Sequence, residues 1–295
     1  MELPDAIDEI RPSIVQIAVR LDPGKIPHTV GTGFIVDERS TVVTAWHVIE
    51  GGAQMARAAG ITGPPQFVAN LAHQQVFEAG GHVYGMQGFS HVDLDLLVAV
   101  PGHDLAGARL AENVVAGEWD ERLVPIVEGV KLPPLAGLAT LDTKTPREGA
   151  AVAVSGYPFA VESLVTNSGT IATAFFPSFP GGPMPDPPRP PADTPGEVRT
   201  QEILTPGPAS NRYLADLEVN PGNSGGPVYL VDTAEVIGVC VATRQAPVYL
   251  GNQPASFNGA PLTYSSGLTV VIPAPYVEAM LRDERVTAET LAMAG

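Results

Sequence analysis

Residues 220–227 read NPGNSGGP and hold one serine among three glycines and two prolines. Glycine loses more backbone entropy on folding than any other residue, so such a cluster needs a reason. A turn would explain it, and so would chemistry. A nucleophilic serine must aim its hydroxyl at a carbonyl, beside backbone N–H groups kept out of any sheet ladder and turned towards the negative oxygen that develops. On that reading Ser224 is the nucleophile. The N–H groups of Gly222 and Ser224 form the oxyanion hole, with Asn223 as a third candidate donor. The segment is neither the Gly-x-Ser-x-Gly elbow, which needs a strand–turn–helix context, nor a phosphate loop, which needs a lysine and a following helix.

A serine hydroxyl needs a base near neutral pH. His47 stands in VVTAWHVI, directly after an apolar strand and among small and apolar neighbours. The other histidines, His28, His73, His82, His91 and His103, lie in polar or glycine-rich surroundings and read as structural or solvated. The nine-residue spacing of His73, His82 and His91 fits no short zinc signature, so no metal is expected. The base in turn needs a carboxylate to fix its tautomer. HVDLDLLVAVP offers Asp93 and Asp95. Asp95 is favoured. With Asp93 as the orienter, Asp95 would enter the apolar strand unpaired, at a cost of several kcal/mol or a raised pKa. Asp93 remains the alternative acid.

These residues must be held by a fold that turns often. The chain has 295 residues, 44% apolar, with Gly 31 and Pro 30, and can bury a sizeable core with little long helix. Its formal charge of -16 repels phosphate backbones and excludes nucleic acid as a partner. The single Cys240 lies in the apolar run EVIGVCVA and reads as a core residue that leaves no intramolecular disulfide. The acidic start MELPDAIDEI is no secretory leader and no apolar stretch is long enough to span a bilayer. A cytoplasmic chain without membrane partners is therefore expected.

Residues 5–11 suit a short helix stopped by Pro12, and SIVQIAVRL a strand with Val15, Ile17, Val19 and Leu21 on one face. GTGFIV, DERS and TVVTA read as a hairpin. AQMARAAG offers a helical turn, residues 67–87 two weak strands, and DLLVAVP a short strand closed by proline. GARLAENVV and the residues after it are poorly periodic. Strands resume at GAAVAVSGYP, VTNSGTIATAFF, NRYLADLEV, PVYLV, VIGVCVAT and GLTVVI. Residues 177–208 carry proline every few positions and read as an extended surface insertion. APYVEAMLRDE closes with Tyr276, Val277, Met280 and Leu281 on one helical stripe. Many short strands with tight turns point to antiparallel β-barrels or sandwiches.

GTGFIV, TAWHVI, DLDLLVAV and NPGNSGGP, in that order, resemble the chymotrypsin-like (trypsin-like) serine peptidases, and most of all their bacterial HtrA/DegP branch. The resemblance spans residues 13–280. It implies an all-β fold of two antiparallel six-stranded barrels with a C-terminal helix. The N-terminal barrel would cover 13–120, with the histidine and aspartate. The second would cover 130–275, with the serine, and the helix 274–287. It implies a serine endopeptidase with His47 as base, Asp95 as orienter, Ser224 as nucleophile and Gly222 in the oxyanion position, acting on peptides without a cofactor. It places Val241, Ala242 and Thr243 on the edge that pairs with substrate. Val219, Thr243, Gly267 and Leu268 would line the pocket for the residue before the cut, favouring a small or medium aliphatic side chain. Glu218, placed near the pocket floor, would favour arginine or lysine instead. Two departures matter. Asn223 replaces the aspartate that pairs with a newly cut N-terminus in members activated by cleavage, and no PDZ domain follows. The same barrels could also serve an inactive binding protein or a small-ester hydrolase.

Overall fold

The computed structural model describes residues 1–22, 25–79, 82–115, 136–158, 163–177, 211–250, 253–258 and 260–282. Helix α1 (Leu3–Ile10) begins the chain and ends before Pro12, which cannot continue it. β1 (Ile14–Arg20), β2 (His28–Ile35) and β3 (Thr41–Thr44) follow. Then come α2 (Trp46–Ala58), β4 (Gln66–Ala79), β5 (His82–Val100) and β6 (Leu105–Leu110). The six strands close into one antiparallel barrel in the order β1-β2-β3-β6-β5-β4. The second barrel is built from β7 (Ala151–Gly156), β8 (Val165–Pro177), β9 (Asn211–Asp216), β10 (Pro227–Leu230) and β11 (Val236–Pro247). Two short ribbons interrupt it, β12 (Tyr249–Leu250) with β13 (Gln253–Pro254) and β14 (Ser256–Phe257) with β15 (Ala260–Pro261). β16 (Thr263–Pro273) closes it in the order β10-β11-β16-β9-β8-β7, and α3 (Ala274–Arg282) follows. The chain is all-β, with two six-stranded barrels and a C-terminal helix. No helix among the described residues is long and apolar enough to cross a membrane.

Three elements depart from expectation, each for a packing reason. β1 is buried on both faces up to Arg20 rather than alternating, because α2 packs on its outer side. AQMARAAG is the end of a thirteen-residue helix that starts at Trp46, so His47 sits in a first helical turn. The stretch with no clear period contains β6. Its Ala106, Gly107 and Ala108 are small because α3 crosses there. A Cβ on Gly107 would meet Val98 at 2.8 Å and Met280 at 3.4 Å. Val277 and Met280 are the buried residues of the helical stripe, with Tyr276 and Leu281 packed at its margin. The proline-rich stretch beyond Pro177 and the end of the expected helix, 283–287, lie outside the described residues.

Apolar side chains fill both barrels. One cluster runs from the first barrel through the contact between them, joining Ile17, Phe34 and Val43 to Tyr157, Tyr229 and Val239. A second, with Val154, Ile171, Val228, Ile237 and Cys240, fills the C-terminal barrel. Burial at this scale is the main favourable term for the fold. It also makes the contact between barrels a fixed frame, across which residues far apart in sequence are held.

Candidate active site

β3 delivers the histidine. Thr41–Thr44 is fully buried and gives way at Ala45, the N-cap of α2, so His47 is the second helical residue. Ala45 has no side chain with which to cap that helix end. The cap comes from Asp104. Its main-chain oxygen accepts from Trp46 N–H at 3.2 Å, and its Oδ1 accepts from His47 N–H at 2.9 Å. Its Oδ2 lies 2.8 Å from His47 Nδ1. One carboxylate therefore caps the helix and orients the imidazole, and a negative group is favoured at that helix end. A carboxylate can only accept, so Nδ1 carries the proton and Nε2 is left as an acceptor, the form a general base requires. The His47 side chain is 42% exposed and that of Asp104 25%, so the imidazole is reachable while the carboxylate is half-hidden.

Asp104 adopts φ 54°, a left-handed conformation that aspartate tolerates better than most residues. Its turn is buttressed by the C-terminal helix. His103 stacks on Tyr276 of α3, with ring centroids 4.7 Å apart. Burial, with Arg212 nearby, lowers the His103 pKa.

The acid on His47 is thus neither Asp95 nor Asp93, and the sequence expectation is corrected here. β5 runs nineteen residues and does not begin at Asp95. Both acids lie mid-strand on its exposed face, with Leu94 between them turned into the core. Asp95 stands opposite Arg109 of β6, and Asp93 pairs with Arg20 at 3.3 Å. A bulge between Leu96 and Val98 resets the alternation, so the apolar residues after Asp95 do not bury its face. Asp104 instead precedes β6, whose Ala106 pairs with Thr44 of β3. The readable signal was the aspartate opening DLAGARL, one strand away from the histidine's own.

The serine turn docks onto the same strand–helix junction. Asn223 N–H donates to Asn220 O at 3.0 Å, with Pro221 second and Gly222 third at φ 104°, the residues and dihedral of a type II turn. Gly225 N–H donates to Cys240 O at 2.7 Å and Gly226 N–H to Asn223 O at 2.9 Å. Among the described residues, no main-chain bond is made by the N–H of Gly222 or of Ser224; that of Asn223, the third candidate oxyanion donor, is already taken by Asn220 O, which corrects the expectation for it. Gly225, at φ 84°, lies so close to the histidine segment that a Cβ there would stand 2.2 Å from Thr44 Oγ1 and 2.9 Å from Ala45 N. Ser224 is half-buried and Asn223 fully buried, its Oδ1 and Nδ2 unpartnered among the described residues.

Thr32 of β2 ties the pieces together. Its N–H donates to Ser224 O at 2.9 Å and its hydroxyl donates to Gly222 O at 2.7 Å. The same hydroxyl accepts from Tyr157 N–H at 3.0 Å, and Thr32 O accepts from Thr44 Oγ1 at 2.7 Å. The residues on either side of Asn223 are therefore gripped by a first-barrel strand, through a residue that also touches β3. Nothing in the sequence singled out Thr32 beyond its place in GTGFIV.

Around the expected pocket, Thr243 pairs with Thr269, and Leu268 with Asp216. Val241 is buried, Ala242 exposed and Thr243 half-buried, while Gly267 has φ 76° with open space about it. Val219 packs at the margin of the second core, and Glu218 is exposed. Cys240 is a buried core thiol, as expected, with its pKa pushed up to about 12 by burial.

A search of curated proteins returns no match. Two crystal structures of the Mycobacterium tuberculosis protease Rv3671c in an inactive form are similar to the chain. The first, a serine-to-alanine mutant from strain H37Rv, has a TM-score of 0.51 at 17% identity, covering 96% of this chain and 91% of that one. The second has a TM-score of 0.50 at 17% identity, covering 95% and 92%. At such identity the likeness shows a shared fold. The trypsin-like peptidase domain profile matches residues 31–239, from the strand that holds the serine turn through the His47–Asp104 pair to the strand beside the serine, and the chain belongs to that family.

Proposed function

We propose that the protein is a serine endopeptidase in which Ser224 is the nucleophile, His47 the general base and Asp104 the acid that orients it. The observation that carries this reading is the 2.8 Å bond from His47 Nδ1 to Asp104, with the serine turn docked against the junction that carries His47. Nε2 takes the Ser224 proton as the hydroxyl attacks a peptide carbonyl. The Gly222 and Ser224 amides receive the tetrahedral oxygen. His47 then protonates the leaving amine, and water resolves the acyl-enzyme by the same route. Asp104 stabilises the imidazolium without taking its proton.

A small or medium aliphatic side chain before the cut is supported by the uncharged set Val219, Thr243, Gly267 and Leu268. A basic preference loses its main argument, since a carboxylate as exposed as Glu218 is not a buried charge awaiting a partner. The test is labelling with a fluorophosphonate probe, together with a peptide-library digest read by mass spectrometry. Wild type should label and cut after aliphatic residues. Ser224→Ala and His47→Ala should do neither, and Glu218→Ala should leave the preference unchanged. A folded wild type that neither labels nor cuts would mark an inactive binding fold. Labelling with ester but no peptide hydrolysis would mark a small-ester hydrolase.

A further inference from the structure

β11 does not stop where the site needs it to. Its first half is sealed against β10, and the last bonds on that edge are Cys240 N–H to Gly226 O at 2.9 Å and Gly225 N–H to Cys240 O at 2.7 Å. Among the described residues no strand pairs with that edge beyond Cys240, while the opposite edge stays paired with β16 as far as Pro247 opposite Thr263. Arg244 O is held from the β16 side by the Ser266 hydroxyl at 2.7 Å. β11 shifts register between Cys240 and Ala242, which resets the alternation after Cys240. With Arg244 O turned to β16, the main-chain groups of its neighbours Thr243 and Gln245 face the open side.

An open edge is an aggregation hazard that proteins blunt with charge or cover. Among the described residues no element covers this edge, and charge along it is sparse. Between residues 241 and 268 the only charged side chain is Arg244, in a chain of net charge -16. The ribbons beyond Pro247 instead expose Tyr249 (58%), Leu250 (75%), Phe257 (68%) and Leu262 (43%), beside Tyr264 (57%) on β16. These are five of the nine exposed large apolar side chains among the described residues, gathered within 16 positions. Large exposed apolar patches mark contact surfaces, and these residues follow directly in the chain from the strand hydrogen-bonded to the serine turn.

We propose that the open edge of β11 and the ribbons beyond it form one docking track, and that the substrate is an extended polypeptide carrying apolar residues from the fifth position before the cut outward. This rests on the endopeptidase reading for its register. With Val241 facing the residue before the cut, Thr243 faces the third and Gln245 the fifth. Pro247, without an N–H, ends the ladder and hands the chain to the aromatic ribbons. Main-chain bonds give affinity along such an edge, and side-chain contacts give preference.

The test uses full-length Ser224→Ala, which holds a peptide without cutting it, and fluorescein-labelled peptides read by anisotropy. Peptides with eight residues before the cut, the distal four apolar, should bind at least tenfold tighter than peptides with four. Replacing the distal four by serine, or N-methylating the fifth residue, should remove most of that gain. Because Pro247 and Thr263 already pair, residues 248–262 can be replaced by an Asn-Gly turn. That variant should keep four-residue binding and lose the length gain. Tyr249→Ser with Tyr264→Ser should cut the gain in part. Equal binding at both lengths, or a gain that survives loss of the ribbons, would overturn the proposal. So would a ribbon whose removal changes only the oligomeric state in ultracentrifugation. Fluorophosphonate labelling of wild type separates the two claims. A length gain without labelling removes the hydrolase and leaves the track, and labelling without a gain does the reverse.

Discussion

Thr32→Val changes one atom of consequence. The main-chain bond from Thr32 to Ser224 O stays, while the hydroxyl that donates to Gly222 O and accepts from Tyr157 N–H is lost. Thr32 and Tyr157 are both buried, so water cannot readily replace the hydroxyl. Leaving a buried donor unpaired costs about 1–3 kcal/mol, which in a chain of this size lowers Tm by a few degrees. The catalytic effect is separate. Gly222 is conformationally permissive, and the Thr32 hydroxyl holds its carbonyl and hence the orientation of its peptide planes. Losing one neutral hydrogen bond, about 1–1.5 kcal/mol, corresponds to roughly a five- to tenfold loss in kcat. Loss of a whole oxyanion donor, about 100-fold or more, is the ceiling. KM for a short peptide amide should stay within about twofold, because substrate binding does not use the hydroxyl. Thr32→Ser restores the donor and should recover kcat. The assay is steady-state hydrolysis normalised by active-site titration, beside thermal melts. A lower Tm with unchanged kcat, or a serine variant as slow as the valine variant, would refute the positioning role.

Two further expectations concern the same frame. Gly225→Ala should abolish fluorophosphonate labelling and sharply lower Tm, because its Cβ would stand 2.1 Å from Thr32 O at φ 84°; a stable, labelling variant would contradict the close docking of the serine turn. Cys240 should resist iodoacetamide in the folded protein and react on unfolding. Its folded pKa, about 12, lies above its ordinary value of 9.0, so the native state holds the thiol proton longer than the unfolded one. That contribution is fully present below about pH 9 and is lost as pH rises towards 12, so Cys240→Ala should flatten the alkaline fall in stability measured by urea melts.

Much of this arrangement could be read from residue order. The glycine cluster announces a tight turn around Ser224, and the apolar run before His47 announces the strand that delivers it. The orienting acid was misplaced because strand alternation was projected through β5 without its bulge, which sequence period alone does not reveal. β6 was missed because its small residues answer to the crossing of α3, a tertiary demand. The helix around His47 was hidden by glycines at 51 and 52. Phe67 explains the second, since a Cβ on Gly52 would stand 2.5 Å from its ring. Thr32 stands in GTGFIV, but nothing local marks its hydroxyl, and its role exists only where two barrels meet.

The identity of the acid beside His47 bears the most weight, and the rate of fluorophosphonate labelling tests it. Asp104→Asn should slow labelling by orders of magnitude in a folded protein, as loss of the tautomer-fixing carboxylate does in a hydrolase of this design. Asp95→Asn and Asp93→Asn should label at the wild-type rate. Slow labelling in Asp95→Asn with Asp104→Asn unaffected would contradict the account.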